Sequence, residues 1–404
     1  MSPVPTTAVK FDLQTRFGTI YDDAEKAAMA ECLARDAPTS GKSVVEFEKK
    51  FAETCKTRYA IAVSNGTAAL LMACKAIDIK PGDEVITTPL TWIATAASAV
   101  VLGAKVKFCD VEPSTMNMDP ATVERLITKK TRAIIPVHLY GQAVDMDPIT
   151  EIAAKHGLRV IEDSAHAPGG KYKGKMTGNI GDMGCFSFHE QKNMSTLGEG
   201  GMVTTNDDSL NERVRSYKSH CTRVFGQSTK YLTLDGSKYA GEMDKGRYWF
   251  QDFDDCGYNV RMTDMQGAVG LCQLQKLAKL NKRRQDIASF LSKELGKVPG
   301  LRPTGLVPGA ESVYHLFLLF VEKDAKVSRD QFIYKLHQDF GIRCGTHYMP
   351  LVHVKAFKDR GHSPKECPVA CERWERLITL PCHPRMTQEH LDYLVKSIKS
   401  VVAQ

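Results

Sequence analysis

The sequence predicts an α/β protein in which a mostly parallel sheet carries helices on both faces. Three observations support this fold class: a length of 404 residues, a composition typical of globular proteins, and short β-branched runs that alternate with helical stretches from residue 59 to 206. With 43% hydrophobic and 25% charged residues, the chain is neither disordered nor fibrous. At this length we expect one large α/β domain or two domains that share a long core.

The elements of the first half follow from local patterns. The predicted strands are YAIAVS, EVITT, KVKFCDV, RAIIPVHL, LRVIED, GCFSFH and GMVTTN. Apolar residues at helical spacing predict helices between them, for example one that begins at Thr67 and one near Pro148 that Gly157 ends. Because strands that alternate with helices form βαβ units, most of the strands should be parallel.

The second half predicts a smaller α+β domain. Residues 219–250 are polar and poor in aliphatic side chains, which indicates an inserted loop of the kind that often borders a site or a partner. A long helix is expected from near Asp264, as a connector between domains. We predict a large domain over residues 1–280 and a small C-terminal domain over residues 281–404.

The small domain should contain one clear strand and two helices. The run VYHLFLLFV predicts the strand. The helices are expected near Arg329 to Phe340 and from Thr387 to Val402.

Charge and hydropathy exclude several classes of function. The net charge of +7 is spread over the chain, whereas a nucleic-acid partner needs a clustered basic face. The longest uncharged stretch, Thr87 to Ala104, is too short and too polar to span a bilayer, and the first residues lack the apolar region of a secretory signal. Twelve cysteines occur singly, as thiols do in a reducing compartment. We therefore expect a cytoplasmic protein.

A metal site is not favoured. Cys367 and Cys371, together with His362 and His383, have the residue types of a zinc site. No Cys-x-x-Cys pair accompanies them, however, and Pro368 interrupts the two cysteines. The sequence predicts no metal.

The residues that follow the predicted strands are the candidates for chemistry, because ligands collect at the carboxyl ends of strands in doubly wound sheets. Gly66 and Thr67 lie in a turn that begins a helix, where free N–H groups favour a phosphate. Such turns are common, and neither a P-loop nor a GxGxxG motif is present. Trp92 follows the next strand, where its indole either stacks on an aromatic ligand or packs between helix and sheet.

Two further strand ends carry the residues with the most specific chemistry. Asp163 ends an apolar strand, so it needs a charged partner or a ligand, unless it caps a helix. Ser187 ends another strand and precedes Lys192 and a glycine-rich turn. A lone loop lysine is normally a solvated charge. Lys192 is not alone, however. The phosphate-suited turn, Trp92, Asp163 and Lys192 together provide the separate groups that binding of pyridoxal phosphate requires.

Several motifs resemble the DegT/StrS family of PLP-dependent sugar aminotransferases. They are GTAAL, HLYGQ, EDSAHAPGGKYKGK, GDMGCFSFHEQKN with its GEGG, and GYNVRMTDMQGAVGLCQL. The resemblance extends from about Lys42 through His383. It implies fold-type I, the aspartate aminotransferase architecture, with pyridoxal 5'-phosphate as cofactor. It also implies transfer of an amino group from glutamate or glutamine to a keto-sugar, most commonly a nucleotide-linked one.

The resemblance assigns roles to individual residues. Lys192 occupies the position of the Schiff-base lysine, and Asp163 that of the pyridinium partner. Trp92 lies where an aromatic ring covers the pyridine. His166 lies near the cofactor oxygen, where many members have Gln, so its protonation state becomes a variable.

The family also implies how the phosphate is held. Gly66, Thr67 and Ser187 match residues that bind it within one chain. Asn259 matches an Asn that reaches the phosphate across a dimer interface, which implies a homodimer with shared active sites. His347 and Tyr348 are where we expect substrate contacts, although packing of His347 in the core is an equal alternative.

Other functions remain open at this point. A keto-cyclitol aminotransferase is harder to exclude, because the LTWIATAASAV segment resembles that branch. A pyridoxamine-dependent dehydratase of the same family has His in place of the lysine, and a silent regulator would lack Lys192 or Asp163. The missing glycine-rich fingerprint disfavours a nicotinamide dehydrogenase.

Overall fold

The computed structural model describes residues 18–35, 39–222 and 253–403. Most of the predicted inserted loop, from residue 223 to 250, lies outside the described residues. The strands, in chain order, are β1 (Tyr59–Val63), β2 (Glu84–Thr87), β3 (Lys105–Phe108), β4 (Thr131–Ile135), β5 (Arg159–Asp163), β6 (Lys171–Tyr172), β7 (Lys175–Met176), β8 (Met183–Ser187), β9 (Gly201–Thr205), β10 (Leu301–Pro303), β11 (Ala310–Glu311), β12 (Phe317–Val321) and β13 (Leu377–Leu380).

Among the described residues, the twelve α-helices include the five whose positions the sequence predicts. In chain order they are α1 (Asp23–Ala34), α2 (Lys42–Cys55), α3 (Gly66–Ala76), α4 (Ala94–Val100), α5 (Pro120–Val123), α6 (Met146–His156), α7 (Asp208–Tyr217), α8 (Asp264–Leu295), α9 (Arg329–Phe340), α10 (Lys355–Lys358), α11 (Pro368–Trp374) and α12 (Gln388–Ala403). As predicted, Gly157 ends α6, in the left-handed conformation that glycine adopts without strain.

A seven-stranded sheet contains all the strands predicted in the first half, in the order β1-β9-β8-β5-β4-β2-β3. Strand β9 runs antiparallel to β1 and β8, and the other neighbouring pairs are parallel. The prediction of a mostly parallel sheet is confirmed. The parallel pairs place their carboxyl ends at one edge.

Helices cover both faces of this sheet, because successive side chains of a strand point to opposite faces. Ile61 and Val63 of β1 pack in a core with residues of α3, α4 and α7. Ala60 and Ala62 of the same strand pack in a second core with residues of α2 and α8. Within the described residues, no helix combines the length and apolar character that a membrane span requires.

The C-terminal region contains an antiparallel sheet in the order β10-β12-β13. Its central strand β12 belongs to two cores: Phe317 and Leu319 pack with α9 and α12, whereas Leu318 and Phe320 join the core of the large sheet. The predicted domain boundary after residue 280 falls inside the 32-residue helix α8. The division into two domains stays a prediction.

The sequence did not predict a third sheet, in the order β11-β6-β7. Each of its strands has two residues, which is too short for a periodic pattern to be recognised.

Candidate active site

A cavity of ≈ 890 Å³ lies at the carboxyl ends of the parallel strands. All the predicted site residues except Asn259 line it: Gly66, Thr67, Trp92, Asp163, His166, Ser187, Lys192, His347 and Tyr348. The topology explains this convergence, because β5 ends at Asp163, its parallel neighbour β8 ends at Ser187, and β1 leads directly into α3.

The first turn of α3 forms one end of the cavity. Asn65 caps the helix, and its side-chain oxygen accepts a hydrogen bond from the Ala68 N–H at 2.8 Å. Gly66 lies so close to Ser187 that a Cβ at position 66 would be 2.7 Å from the Ser187 Cβ, so only glycine fits. The first N–H groups of a helix have no acceptor within the helix, so this turn and the Ser187 hydroxyl suit an anion.

Asp163 is 5% exposed and accepts two hydrogen bonds. The Thr95 hydroxyl donates to one carboxylate oxygen at 2.6 Å, and the Ala165 N–H donates to the other at 3.1 Å. Burial raises the pKa of Asp163, while these hydrogen bonds and the charge of Lys192 oppose the rise. No helix begins after Asp163, so the alternative of a helix cap is wrong.

Lys192 lies in the loop between β8 and β9 and is half-buried in the cavity wall. Burial lowers its pKa to about 8, against the opposing charges of Asp163 and Glu199. About a tenth of this amine is therefore neutral at about pH 7, far more than for a lysine with the usual pKa. A neutral amine is the form that attacks a carbonyl or accepts a proton.

Trp92 is 63% exposed and borders the cavity. Its ring centroid lies 6.2 Å from that of Tyr348. The alternative that Trp92 packs between helix and sheet is wrong, and its indole is free to contact a ligand.

The hydrogen bonds and the burial of His166 together indicate its protonation state. The Tyr140 N–H donates to Nδ1 at 3.3 Å, so Nδ1 carries no proton. The proton of the neutral ring is then on Nε2, which lies 3.2 Å from the Tyr348 hydroxyl. Burial and the charge of Lys192 hold the pKa of His166 well below its usual value. His166 is therefore neutral, and its ring packs against that of His315 at an interplanar angle of 33°, with centroids 4.3 Å apart.

His347 and Tyr348 enter the cavity from the C-terminal region. The Tyr140 hydroxyl donates to the His347 carbonyl oxygen at 2.8 Å, and His347 Nδ1 lies 2.9 Å from the Thr379 hydroxyl. Burial lowers the pKa of His347 to about 4. His347 is thus a neutral side chain of the cavity wall, and the alternative of core packing is wrong.

Thr95 and Tyr140 are not among the site residues predicted from the sequence. Thr95 is one of three hydroxyl residues in the mostly apolar segment LTWIATAASAV, and no sequence pattern distinguishes it from the other two. Tyr140 lies in the HLYGQ motif, and its φ of 63° is a conformation that bulky residues rarely adopt. This strained backbone conformation marks Tyr140 as a candidate functional residue, but it can be recognised only from the structure.

Asn259 is exposed and lies outside the cavity of its own chain. Its backbone forms a bridge with Ser219, beside the segment in which the Val260 N–H donates to the Lys218 carbonyl. Its predicted contact with a neighbouring chain stays a prediction.

The residues considered for zinc have other contacts. His362 lies 2.9 Å from Glu366, and the Cys367 thiol donates to the Phe108 carbonyl. His383 borders a smaller cavity next to Lys192. In the part of the chain that the structure describes, no group of three or more His, Cys, Asp or Glu side chains is arranged to hold a metal ion.

Comparisons with known proteins identify the family. The model of the DegT/DnrJ/EryC1/StrS aminotransferase family matches residues 19–399. The chain is 37% identical to the spore coat polysaccharide biosynthesis protein SpsC of Bacillus subtilis (strain 168), over 90% of each chain. It is 36% identical to GDP-perosamine synthase of Caulobacter vibrioides, over 94% of this chain and 96% of the relative.

The solved structures agree as well. The PLP form of Spr1654 from Streptococcus pneumoniae has a TM-score of 0.84 at 27% identity, over 95% of this chain and 97% of that chain. The same protein has also been solved in a PMP form. The prediction of fold-type I is confirmed, as is the prediction of an aminotransferase. The chain belongs to the DegT/DnrJ/EryC1/StrS aminotransferase family.

Proposed function

We propose that the protein transfers an amino group from glutamate or glutamine to a nucleotide-linked keto-sugar, with pyridoxal 5'-phosphate in the ≈ 890 Å³ cavity. The observation that carries the proposal is that Lys192, Asp163 and the first turn of α3 border the same cavity. These features are far apart in the sequence, and each answers a different chemical need of this cofactor.

The donor set fits the cofactor group by group. The first turn of α3 and Ser187 suit its phosphate, and the buried carboxylate of Asp163 suits a protonated pyridine nitrogen. The half-buried amine of Lys192 suits its aldehyde, and the exposed indole of Trp92 suits its ring. When bound, the cofactor supplies the electron sink that makes the α C–H bond of the amino donor acidic.

The residues of this chain would then hold and transfer the protons of the reaction. Asp163 holds the proton on the ring nitrogen, and Thr95 orients Asp163 through its 2.6 Å hydrogen bond. Lys192, with a pKa of about 8, moves the proton at the amino-bearing carbon of the substrate. The neutral His166 adds no second positive charge beside Lys192.

Two observations support a nucleotide-linked keto-sugar as the acceptor. A relative that is 36% identical is named GDP-perosamine synthase, and the net charge of +7 suits an anionic substrate. A keto-cyclitol acceptor is the second candidate, favoured by the LTWIATAASAV segment, which borders the cavity through Trp92 and Thr95. The presence of Lys192 and Asp163 disfavours the dehydratase and the silent regulator.

We also propose that the protein acts as a cytoplasmic homodimer. All twelve cysteines are free thiols, as expected of a reducing compartment. The exposed position of Asn259, outside its own cavity, leaves its amide available to a second chain.

The experiment is a screen of nucleotide-linked keto-sugars and keto-cyclitols against the amino form of the cofactor on the enzyme, prepared with glutamate or with glutamine. We expect keto-sugar nucleotides to convert the bound cofactor back to its aldehyde form, measured by absorbance. Conversion by keto-cyclitols alone would replace the proposed acceptor with the second candidate. If neither class reacts, the proposed function is wrong.

A further inference from the structure

A second, smaller cavity of ≈ 50 Å³ lies against the first. The two cavities share Gln191, Lys192, His347 and Tyr348 in their walls. The remaining wall residues of the small cavity come from α8 and from the C-terminal region: Arg284, His315, Leu316, Leu380, Cys382 and His383. The small cavity is therefore an extension of the active-site space next to Lys192.

Arg284 is a buried cation whose hydrogen bonds all end on carbonyl oxygens. The side chain is 1% exposed. Its Nη1 donates to the carbonyls of Tyr314, His315 and Cys382, and its Nη2 donates to the Gly18 carbonyl at 2.6 Å. Its Nε has no partner, and no carboxylate pairs with the guanidinium, in the part of the chain that the structure describes. A buried cation without a counter-ion is costly, so an anionic ligand would stabilise this arrangement.

The rest of the small cavity is also suited to an anion. His383 Nδ1 is buried without a hydrogen-bond partner among the described residues. Burial, together with the charge of Arg284, lowers the pKa of His383 to about 4. Among the described residues, the wall contains no Asp or Glu, whereas it contains Lys192 and Arg284. The cavity thus has an unused N–H donor on Arg284 and no negatively charged side chain in its described wall.

We propose that this small cavity binds the α-carboxylate of the amino donor, an inference that rests on the proposed function. In an α-amino acid, the carboxylate is bonded to the carbon that carries the reacting nitrogen. It must therefore lie close to Lys192, and the small cavity borders Lys192 directly. A volume of ≈ 50 Å³ accommodates a carboxylate but not a sugar or a nucleotide.

The guanidinium geometry suits this ligand. The Nε and Nη2 groups of an arginine form one edge, and they bind a carboxylate through two parallel hydrogen bonds. In Arg284, Nε is unused and Nη2 has a single acceptor for its two N–H groups. The carboxylate would become the missing counter-ion. Glutamate and glutamine share the α-carboxylate, so the subsite selects α-amino acids over simple amines, whichever donor is used.

The test compares His383→Glu with His383→Gln in the holoenzyme. The two variants have the same shape, but only Glu brings a negative charge into the cavity, where it pairs with Arg284 and repels a carboxylate. We expect the KM for glutamate and for glutamine to be at least about tenfold higher in His383→Glu than in His383→Gln. The keto-acceptor half-reaction should differ by less than about twofold between them, because the acceptor carries no α-carboxylate.

A binding measurement provides a readout that does not depend on turnover. Titration of glutarate, an unreactive dicarboxylate, into each holoenzyme in a calorimeter should show at least about tenfold weaker binding to His383→Glu than to His383→Gln. If glutarate affinity and donor KM are the same in the two variants, the subsite proposal is wrong. A wild-type enzyme that transfers no amino group overturns the proposed function instead, and the glutarate titration still decides the subsite.

Arg284→Lys is the second variant, in case His383→Glu does not fold. It keeps the positive charge and removes the two-bond edge. We expect a raised donor KM, with the acceptor half-reaction retained. Equal impairment of both half-reactions would mean that Arg284 has a structural role only, and would overturn the proposal.

Discussion

The two sides of the large cavity are built differently. The cofactor side, defined by Gly66, Thr67, Asp163, Ser187 and Lys192, lies at or just after the ends of neighbouring strands. The C-terminal side, defined by His347 and Tyr348 and continued into the small cavity by His315 and His383, consists of segments between the elements of the C-terminal region. Strand ends fix the positions of cofactor groups precisely, whereas loops can vary to suit a substrate. We therefore expect changes on the cofactor side to affect chemistry, and changes on the C-terminal side to affect substrate binding.

The largest effect should follow Asp163→Asn, on the cofactor side. The amide keeps the shape of the side chain but removes the charge that holds the ring nitrogen protonated. We expect both half-reactions to slow by at least roughly a hundredfold, about 2.7 kcal/mol of barrier. Single-turnover absorbance measures each half-reaction, and a variant within a few-fold of wild type would make Asp163 a structural residue.

The pH dependence of cofactor capture should follow Lys192. Only the neutral amine forms an imine, and burial lowers the Lys192 pKa to about 8, so the neutral form predominates above that pH and is lost below it. The rate at which the cofactor-free protein captures pyridoxal phosphate should rise about tenfold from about pH 7 to about pH 9. Stopped-flow absorbance measures this rate. A continued rise toward the usual lysine pKa would contradict the lowered value.

Thr95→Val should have a smaller effect on the same side. The substitution preserves the size of the side chain and removes the hydroxyl that donates to Asp163 at 2.6 Å. Loss of one hydrogen bond to a charged group costs about 1.5–3 kcal/mol, so we expect a rate reduction of roughly tenfold to a hundredfold in both half-reactions. Thr91→Val is the control, because its hydroxyl contacts Thr95 and not Asp163. Equal rates in the two variants would remove the positioning role of Thr95.

The smallest effect should follow Tyr140→Phe, which acts on the C-terminal side through its contact with His347. It removes the hydroxyl that donates to the His347 carbonyl, whereas the backbone N–H that binds His166 remains. We expect the KM for the keto-acceptor to rise about threefold with kcat nearly unchanged, as for the loss of one hydrogen bond that positions a binding loop. A fall in kcat alone would contradict the division of roles between the two sides.

The same difference between the two sides explains which parts of the site can be predicted from the sequence. Asp163 and Ser187 follow recognisable strands, and parallel strands bring their carboxyl ends together, so their proximity could be predicted. Arg284 looks like a solvated charge on a helix, and His383 follows a strand of another sheet. Their proximity to Lys192 depends on how the C-terminal region packs, which no local pattern encodes. The role of Asn259 is predicted from the family resemblance alone.

The central claim is that Lys192 holds the cofactor, and borohydride reduction tests it most directly. The purified protein should be yellow with bound pyridoxal phosphate, and reduction should attach the cofactor permanently to one lysine. Digestion and mass spectrometry then identify the labelled peptide. The account predicts that Lys192 carries the label, with Lys129, an exposed lysine, as the unlabelled control. A label on any other lysine, with none on Lys192, would contradict the account.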